Sequence, residues 1–291
     1  MIIRTSKASP EVLDKTTELI AENETYMKEG FPDCSDKAEL LSELRQNSEQ
    51  WSILYTDVGV ALFTLQVFDT NAVIDRFYPV PSISYDTLIA SLESDLKKSK
   101  IRSLILRTLE QSAEALQKNG FERRRIIINL AGPVIETKLM PILPLVSPTE
   151  RDIPMLAKLM HESYQKSAEP AIAAVSAAEG RIRGVMRGSQ GTYAAQASLM
   201  TGAIQNIVSA CFVTFSTPRQ AHVAELFTHP LYRARGLATI EVATAMNRLL
   251  NQGIQKLNVQ VSEKDEIAGR LFAKLGFKQQ GKLAELVRNL G

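Results

Sequence analysis

The chain has 291 residues, of which 45% are hydrophobic and 23% are charged, a composition typical of a soluble globular protein with room for two domains. No apolar run reaches the ~18 residues that a membrane helix needs, and no basic-then-apolar signal region opens the chain, so we expect a cytoplasmic protein without a membrane partner. Cys34 and Cys211 lie far apart without a metal-type spacing, which predicts reduced thiols and no metal site.

The charge is distributed unevenly along the chain. Residues 1–140 hold 17 Lys and Arg against 21 Asp and Glu, whereas residues 141–291 hold 17 against 11. This basic excess is too small and too scattered to predict nucleic-acid binding. It does favour an anionic ligand in the second half.

The first half predicts alternating helices and strands. Ser9-Pro10-Glu11 is a good helix start, because proline is favoured in the first turn of a helix. Apolar periodicity and turn residues predict the elements after it. These are a helix near 38–45, a hairpin of strands 51–55 and 60–68, strand 72–78, helix 84–98, strand 101–106, helix 112–118 and strand 125–130.

The second half repeats this order of elements. Ser147-Pro148-Thr149-Glu150 predicts a capping box at the start of its first helix. The elements that follow are a helix near 176–187, strands near 193–200, 205–215 and 222–228, helix 237–250, strand 256–261, helix 266–274 and a last strand after Phe277.

Two short sequences recur in both halves. Lys118-Asn-Gly120-Phe121 matches Lys274-Leu-Gly276-Phe277, and Ser9-Pro10 matches Ser147-Pro148. The two Gly-Phe sequences lie farther apart in the chain than the two Ser-Pro sequences. This difference indicates an insertion in the second copy, within the Gly- and Ala-rich residues 168–195. Together with the shared order of elements, the matches favour a duplication, although chance recurrence of such short sequences is the alternative.

A strand and a helix meet at a basic turn that contains a glycine. Val223–Phe227 is the apolar run of a buried strand, and the helical pattern begins at Leu237. The first amides of a helix have no internal partner and carry partial positive charge, and Gly236 lets an anion approach the bare backbone. Arg233 and Arg235 add full charges. The turn therefore predicts phosphate binding.

This turn resembles the acyl-coenzyme A signature of the GNAT-type N-acyltransferases, Gln/Arg-x-x-Gly-x-Gly/Ala. Its three fixed places correspond here to Arg233, Gly236 and Ala238. A second segment, Asp265–Phe277, resembles the family's Asn-x-x-Ala-x-x-Leu-Tyr-x-x-x-Gly-Phe, and the two segments occur in the right order. The resemblance covers residues 142–285.

The resemblance implies an α/β (α+β) fold with two tandem GNAT-like domains, each a mixed, mostly antiparallel central sheet flanked by helices. Residues 142–291 are expected to form an acyltransferase domain that binds acetyl-CoA. Residues 1–135 are expected to form a degenerate domain without the phosphate loop. The corresponding stretch there, Tyr78–Tyr85, has neither glycine nor arginine, and its prolines remove amide donors.

The resemblance also implies how acetyl-CoA is held. The turn receives its phosphates, and the end of the preceding strand pairs with its pantetheine arm like an added strand. The expected cofactor-binding residues are Leu226, Phe227, Thr228, Arg233, Ala234, Arg235, Gly236, Leu237, Ala238, Thr239, Asp265 and Phe272. Asp265 replaces the family's asparagine, so it either repels the phosphates slightly or caps the following helix.

Two residues on the strand before the turn are candidate catalytic bases. In several members of the family a Glu or His at this distance relays the proton, and His222 fits because imidazole titrates in the useful range. The alternative for His222 is a structural role. Glu225 is the rival base, since a Glu in an apolar strand is costly unless it is paired. Strict alternation places the two on opposite faces unless a bulge intervenes. His229 and His161 are expected to cap helices or lie at the surface.

The catalytic acid and the acceptor are less defined. Many members of the family have a tyrosine near the coenzyme sulfur, where this chain has Phe272. Either the thiolate leaves without a proton donor, or Tyr232, Tyr193 or water supplies the proton, or the domain is not a catalyst. The row Arg181, Arg183 and Arg187 is interpreted as a solvated helix face rather than a site for an acidic substrate.

The function implied by the resemblance is transfer of an acetyl group from acetyl-CoA to a primary amine by direct attack. A non-catalytic acyl-CoA-binding or scaffolding protein is one alternative, and a tandem transferase that makes another amide is a second. The expected partners are acetyl-CoA, an amine substrate and a second copy of the chain in a homodimer.

Overall fold

The computed structural model describes residues 2–31, 34–46, 48–49, 51–57, 59–68, 71–81, 85–141, 143–165, 172, 174–203, 206–217 and 219–291. Its α-helices are α1 (Pro10–Ala21), α2 (Lys37–Gln46), α3 (Tyr85–Lys98), α4 (Glu110–Lys118), α5 (Ile153–Tyr164), α6 (Val175–Met186), α7 (Leu237–Leu250) and α8 (Glu266–Lys274). Within the described ranges, none of these helices combines the length and the apolar character that crossing a membrane requires.

The strands alternate with these helices. They are β1 (Ile2–Arg4), β2 (Trp51–Thr56), β3 (Gly59–Phe68), β4 (Asn71–Pro81), β5 (Ser103–Leu109), β6 (Glu122–Pro133), β7 (Leu145–Val146), β8 (Thr192–Tyr193), β9 (Leu199–Ala203), β10 (Asn206–Thr217), β11 (Gln220–Thr228), β12 (Lys256–Ser262) and β13 (Lys278–Asn289). The predicted α/β class is thus confirmed, and helices α7 and α8 have the predicted bounds.

The chain divides into two compact units, and the division is not a single cut. The first unit is Met1–Ile127 together with Gly281–Gly291, and the second is Ile128–Gln280. The sequence indicated a single boundary between residues 135 and 142. In that prediction the C-terminal strand belongs to the second domain. The structure assigns the end of that strand to the first unit, because Leu283–Asn289 of β13 pair antiparallel with β5.

The first unit has a mixed sheet in the order β1-β2-β3-β4-β5-β13. β4 and β5 are parallel, and the other pairs with a described register are antiparallel. Parallel neighbours need a crossover, and α3 provides it. An aromatic cluster forms part of the core on α1 and α2, where Trp51, Tyr26 and Phe31 are buried.

The second unit repeats this arrangement with the order β6-β12-β11-β10-β9-β7, and β8 pairs with β10. β11 and β12 are parallel, and α7 is their crossover. One core cluster contains the buried residues of α7 and α8, and another contains those of α5 and α6. The sheet therefore separates two layers of helices.

The two recurring Gly-Phe sequences occupy the same structural position in the two units. Gly120 follows α4 with φ +81°, and Gly276 follows α8 with φ +85°. The amide of Phe121 donates to the Leu116 carbonyl, and that of Phe277 donates to the Phe272 carbonyl. Each glycine thus ends its helix in the same left-handed turn, and this agreement supports the inference of a duplication.

Two local predictions need comment. The capping box is formed by Thr149 and Asp152, two residues after the predicted pair Ser147 and Glu150, and it precedes a short 3-10 turn. Ser82–Ser84 and residues 168–171 and 173 lie outside the described residues, so the central part of the degenerate loop and part of the predicted insertion do as well.

Candidate functional site

The described pairing of the two parallel strands of the second unit stops before either strand ends, and the space beyond their last pair is called the cleft below. Within the described residues, the ladder between β11 and β12 ends at the pair Val223 and Val259, whereas β11 continues to Thr228 and β12 continues to Ser262. On its other edge, β11 stays paired with β10 as far as Thr228. The last residues of β11 therefore have one edge beyond the parallel ladder, where an extended ligand can pair with the backbone.

The N-terminus of α7 lies directly after this strand. Gly236 is the N-cap residue, with φ +78°, and no described side chain caps the helix there. A Cβ built on Gly236 would meet nothing within 4 Å, so the approach to the first turn is open. Ala234 also has a positive φ, +59°. This turn exposes the amides of Leu237 and Ala238 to any anion at the helix end.

The two arginines of the turn have different surroundings. Arg233 is half-buried, and its Nη2 donates to the Ser163 carbonyl at 2.6 Å. Its Nε donates to the Thr228 carbonyl at 3.4 Å. Arg235 is exposed and lies over the Tyr232 ring, 5.1 Å from its centroid. Arg233 therefore joins the turn to α5 and β11, whereas Arg235 extends into solvent.

A bulge in β11 alters which side chains share a face. Phe212 pairs with Glu225 and the next residue of β10 pairs with Val223, so Ala224 is an additional residue. Ala221 and Val223 belong to the core cluster on α7, and His222 between them points to the other face. Glu225 contacts α5 and α6 on that same face. The open question of alternation is thus answered: His222 and Glu225 lie on one face of the sheet.

Glu225 is a buried carboxylate with two donors. The Tyr164 hydroxyl donates to its Oε2 at 2.9 Å, and the Nε of Arg181 donates to its Oε1. The Glu225 side chain is 1% exposed, and the Arg181 side chain is 42% exposed. Since a buried charge needs a partner, this contact accounts for a charged residue in an apolar strand. Arg181 and Arg183 both keep exposed side chains, as the interpretation of the arginine row as a solvated face expects, and each also pairs with an acid, Arg181 with Glu225 and Arg183 with Glu179.

The second resembling segment is mainly structural in its contacts. Asp265 is the N-cap of α8, and its side chain accepts from the amide of Ala268 at 2.9 Å. Phe272 is 1% exposed, and its ring centroid is 5.0 Å from that of Phe277. The capping alternative for Asp265 is confirmed, and the Phe272 ring is part of the core.

The remaining polar candidates surround the face that carries Glu225. His229 Nδ1 accepts from the amide of Leu231 and so caps the short turn before Arg233, as predicted. His161 Nδ1 lies 2.9 Å from the Ile172 carbonyl. The Tyr193 hydroxyl donates to the Pro148 carbonyl at 3.4 Å, and burial raises the pKa of that hydroxyl.

The corresponding strands of the first unit are closed. The parallel ladder of β4 and β5 extends, past a register shift, to the pair Phe77 and Thr108. The Thr108 hydroxyl donates to the Phe77 carbonyl at 2.6 Å, and the Tyr26 hydroxyl donates to the Pro79 carbonyl at 2.7 Å. These two carbonyls of β4 therefore have partners from within the unit, at the place where β11 has an open edge.

Residues 154–277 match the model of the Acetyltransferase (GNAT) family. The chain contains a GNAT-family domain. That family supports N-acyltransferase activity in general, and the matched segment includes both sequence segments identified above. Among curated proteins, none matches the sequence.

Solved structures extend the GNAT fold to the whole chain. A GCN5-related N-acetyltransferase from Sphaerobacter thermophilus is similar with a TM-score of 0.65 and 14% identity, over 99% of this chain and 96% of that one. A tandem GNAT protein from the clavulanic acid biosynthesis pathway has a TM-score of 0.63 and 14% identity, over 100% and 98%. A GCN5-related N-acetyltransferase from Kribbella flavida has a TM-score of 0.56 and 13% identity, over 87% and 93%. The chain thus has the fold of tandem GNAT domains.

Sequence reasoning missed polar residues behind the GNAT site. Tyr164 follows the apolar stripe of α5, in which Ile153, Leu156 and Met160 are buried, so helical spacing indicated that it points inward. Glu241 occupies a core position of α7, four residues after the buried Leu237. An acidic residue at a core position of a helix was the signal from which its buried polar role could have been predicted.

Proposed function

We propose that the chain is an N-acetyltransferase that transfers the acetyl group of acetyl-CoA to a primary amine. The observation that carries this proposal is the open edge of β11 next to the uncapped N-terminus of α7 at Gly236. The extended edge suits the amides of a pantetheine arm, and the helix end suits a diphosphate. The cofactor-binding set is the one expected from the sequence, Leu226–Thr228 and Arg233–Thr239.

The two remaining residues of the expected set have indirect roles in this proposal. Asp265 orders α8 as its cap, and Phe272 forms part of the apolar wall behind the cleft. Arg233 supports the turn through the Ser163 and Thr228 carbonyls, while Arg235 supplies charge to the phosphates.

In the proposed reaction the amine nitrogen attacks the thioester carbonyl carbon. The C–N bond forms, the C–S bond breaks, and the coenzyme leaves as a thiolate. A lysine-like amine has a reference pKa of about 10.4, so it has to lose a proton before attack. We assign that proton to His222, with Glu225 on the same face as the rival base. Because Phe272 has no hydroxyl, the thiolate receives its proton from water or from a tyrosine such as Tyr193.

Calorimetry with acetyl-CoA tests the binding site. Gly236→Asp places a negative charge at the helix end and is expected to weaken binding about 10- to 30-fold, since charge and bulk both oppose the phosphate. Gly253→Asp is the matched control, because Gly253 has the same backbone conformation (φ +77°) and equally open space at the other end of α7. Equal effects of the two substitutions would refute the phosphate site.

Turnover tests the chemistry. We expect wild-type protein to consume acetyl-CoA with at least one member of a panel of primary amines, followed by loss of thioester absorbance. His222→Ala is expected to remove the limb of the pH–rate profile near the imidazole range, and Glu225→Gln is the comparison for the rival base. An unchanged profile in His222→Ala would transfer the assignment to Glu225.

A second function, acyl-CoA binding without catalysis, is favoured by one observation. The residue at the family's tyrosine position is a core phenylalanine packed on Phe277. Tight binding of acetyl-CoA without turnover across the amine panel would support this alternative. Turnover to a different amide with other acyl donors would support a tandem transferase of another specificity.

We propose a supporting role for the first unit, which contains most of the residues 1–135 that are expected to form the degenerate domain. The bond from Thr108 to the Phe77 carbonyl occupies the edge that an acyl-CoA would need, so this domain is a degenerate GNAT-like domain without cofactor. Calorimetry is expected to give one acetyl-CoA per chain. Two binding events per chain would contradict this role.

A further inference from the structure

Glu241 is a buried acid on the inner face of α7. Its side chain is fully buried, and each of its oxygens lies within hydrogen-bond distance of a hydroxyl. Thr201 Oγ1 of β9 lies 2.6 Å from Oε1, and Ser209 Oγ of β10 lies 2.8 Å from Oε2. Burial raises the pKa of Glu241 to about 8, although these two hydrogen bonds act in the opposite direction. At neutral pH the group is therefore mainly a carboxylic acid.

A chain of hydroxyls joins this acid to the end of β11. Ser209 Oγ lies 2.8 Å from Thr228 Oγ1 and 3.3 Å from the Phe227 carbonyl. Thr228 and Phe227 are the last residues of the open edge, and the Thr228 carbonyl accepts from Arg233. The inner face of α7 is thus connected to the proposed acyl-CoA cleft through Ser209.

Each hydroxyl in this chain has one proton, so Ser209 can donate to only one of Glu241, Thr228 and the Phe227 carbonyl at a time. When Glu241 is an acid, its proton can be donated to Ser209, which then donates to Thr228 and leaves the Thr228 proton available for the cleft. When Glu241 is a carboxylate, Ser209 donates to Glu241 and accepts from Thr228. The Thr228 proton is then used inside the fold.

We propose that Glu241 is a positioning residue for acyl-CoA, and that it acts through Ser209 to present the Thr228 hydroxyl as a donor to an amide carbonyl of the bound pantetheine arm. This inference rests on the proposed function. It predicts that acyl-CoA affinity requires a donor at position 241, and that an amide can replace the acid there.

The charges around Glu241 leave few other sources of pH dependence. Cys211 on β10 interacts electrostatically with Glu241, and burial raises the pKa of this thiol well above its usual value, so it stays neutral. The groups that contact Glu241 from β9 and β10 are the hydroxyls of Thr201 and Ser209. The charged or titratable groups next to Thr228 are Arg233, which donates to the Thr228 carbonyl, and His229, whose Nε2 lies 3.4 Å from Glu162 Oε2.

The test is calorimetry with acetyl-CoA between pH 6.5 and 9.5 on wild type and Glu241→Gln. Loss of one hydrogen bond corresponds to a change of about three- to tenfold. Wild-type affinity is expected to fall by that factor as the pH rises through about 8. Glu241→Gln is expected to match wild type at pH 7 and to keep its affinity at pH 9.5, because its amide donates to Ser209 without titrating. The coenzyme's own ionisable groups are common to both proteins, so the ratio of the two dissociation constants isolates position 241.

Thr228→Val provides the third comparison. This substitution removes the hydroxyl that donates to the coenzyme. The acetyl-CoA affinity of Thr228→Val is therefore expected to equal that of wild type at high pH and not to depend on the protonation of Glu241. Parallel loss of affinity in wild type and Glu241→Gln at high pH would overturn the inference while leaving the cofactor site intact. Absence of acetyl-CoA binding at every pH in all three proteins would refute the proposed function and this inference together.

Discussion

Replacing Glu285 with glutamine is expected to destabilise the first unit by about 3 kcal/mol at pH 7. Glu285 lies on β13, and its side chain is 1% exposed. Its oxygens accept from Arg107 Nε at 2.8 Å, Arg125 Nε at 2.9 Å and Arg125 Nη2 at 3.1 Å. These contacts attach the C-terminal strand to β5 and to the start of β6, whose residues up to Ile127 belong to the first unit.

The magnitude follows from the pKa of this carboxyl. Burial alone raises the pKa of Glu285, but the hydrogen bonds and charges of Arg125 and Arg107 outweigh burial and lower it to about 2. A decrease from the ordinary value of 4.5 to about 2 corresponds to about 3 kcal/mol of stability. Because the folded pKa is depressed, this contribution is present above pH 4.5 and is lost as the pH falls towards 2.

The assay uses the single tryptophan of the chain. Trp51 is buried in the first unit, in the same core cluster as Leu283 of β13, so its fluorescence reports unfolding of this unit. Urea titrations of wild type and Glu285→Gln at pH 7, 5, 4 and 3 give the difference in the free energy of unfolding. Glu122→Gln is the control, because Glu122 is an exposed acid on the neighbouring β6.

The expected result is a difference of about 3 kcal/mol at pH 7 that becomes smaller below pH 4.5, with no such difference for Glu122→Gln. A difference below about 1 kcal/mol at pH 7 would refute the reasoning. So would a difference that does not change with pH, because it would originate from packing rather than from charge.

Three further predictions concern buried groups. Thr108→Val removes the hydroxyl that donates to the Phe77 carbonyl and is expected to cost the first unit about 1–2 kcal/mol, measured by Trp fluorescence in urea. Cys211 is fully buried with a raised pKa, so a thiol reagent is expected to modify the half-buried Cys34 first and Cys211 only after unfolding, as mass spectrometry would show. Gly191→Ala would place a Cβ 2.4 Å from a backbone carbonyl oxygen of β10 at φ +101°, and it is expected to lower the melting temperature by several degrees.

Each of these predictions has a matched control. Thr108→Ser keeps the hydroxyl and should recover most of the lost stability, whereas an equal loss would contradict the hydrogen-bond explanation. Cys211→Ser should leave the rapid reaction of Cys34 unchanged, and rapid labelling of two thiols in folded wild type would oppose the assignment. Gly269→Ala, in α8 with open space around it, should not lower the melting temperature.

Most elements were predictable because periodicity is a local property, but the strand predicted near 193–200 is two strands, β8 and β9, with a turn between them. Helix α7 has strong apolar spacing and a glycine immediately before it, so even its bounds, Leu237–Leu250, agree with the sequence. The bulge at Ala224 was not predictable, since it depends on the partner strand, and it determines that His222 and Glu225 share a face. Sequence patterns fix the period of a strand, but not a change of register within a ladder.

Contacts between distant residues were also beyond the sequence. The Arg181–Glu225 contact joins residues on different elements, and nothing in the arginine row distinguishes the one that pairs with Glu225. The return of β13 to the first unit was missed for a similar reason. Residues 278–280 and 281–289 form one continuous strand. Its pattern of apolar and polar residues does not indicate to which unit each part of the strand belongs.

This path of β13 has a consequence for the order of folding during synthesis. The first unit lacks the strand that pairs with β5, and the carboxylate that neutralises Arg107 and Arg125, until Gly281–Gly291 have left the ribosome. Translation of the intervening residues takes on the order of 10–30 s. During that interval the N-terminal segment exposes an unpaired edge of β5, which is a hazard for association with other nascent chains. The last residues to be synthesised therefore complete the unit whose first residues were synthesised earliest. A chain truncated near residue 280 would leave the edge of β5 permanently unpaired.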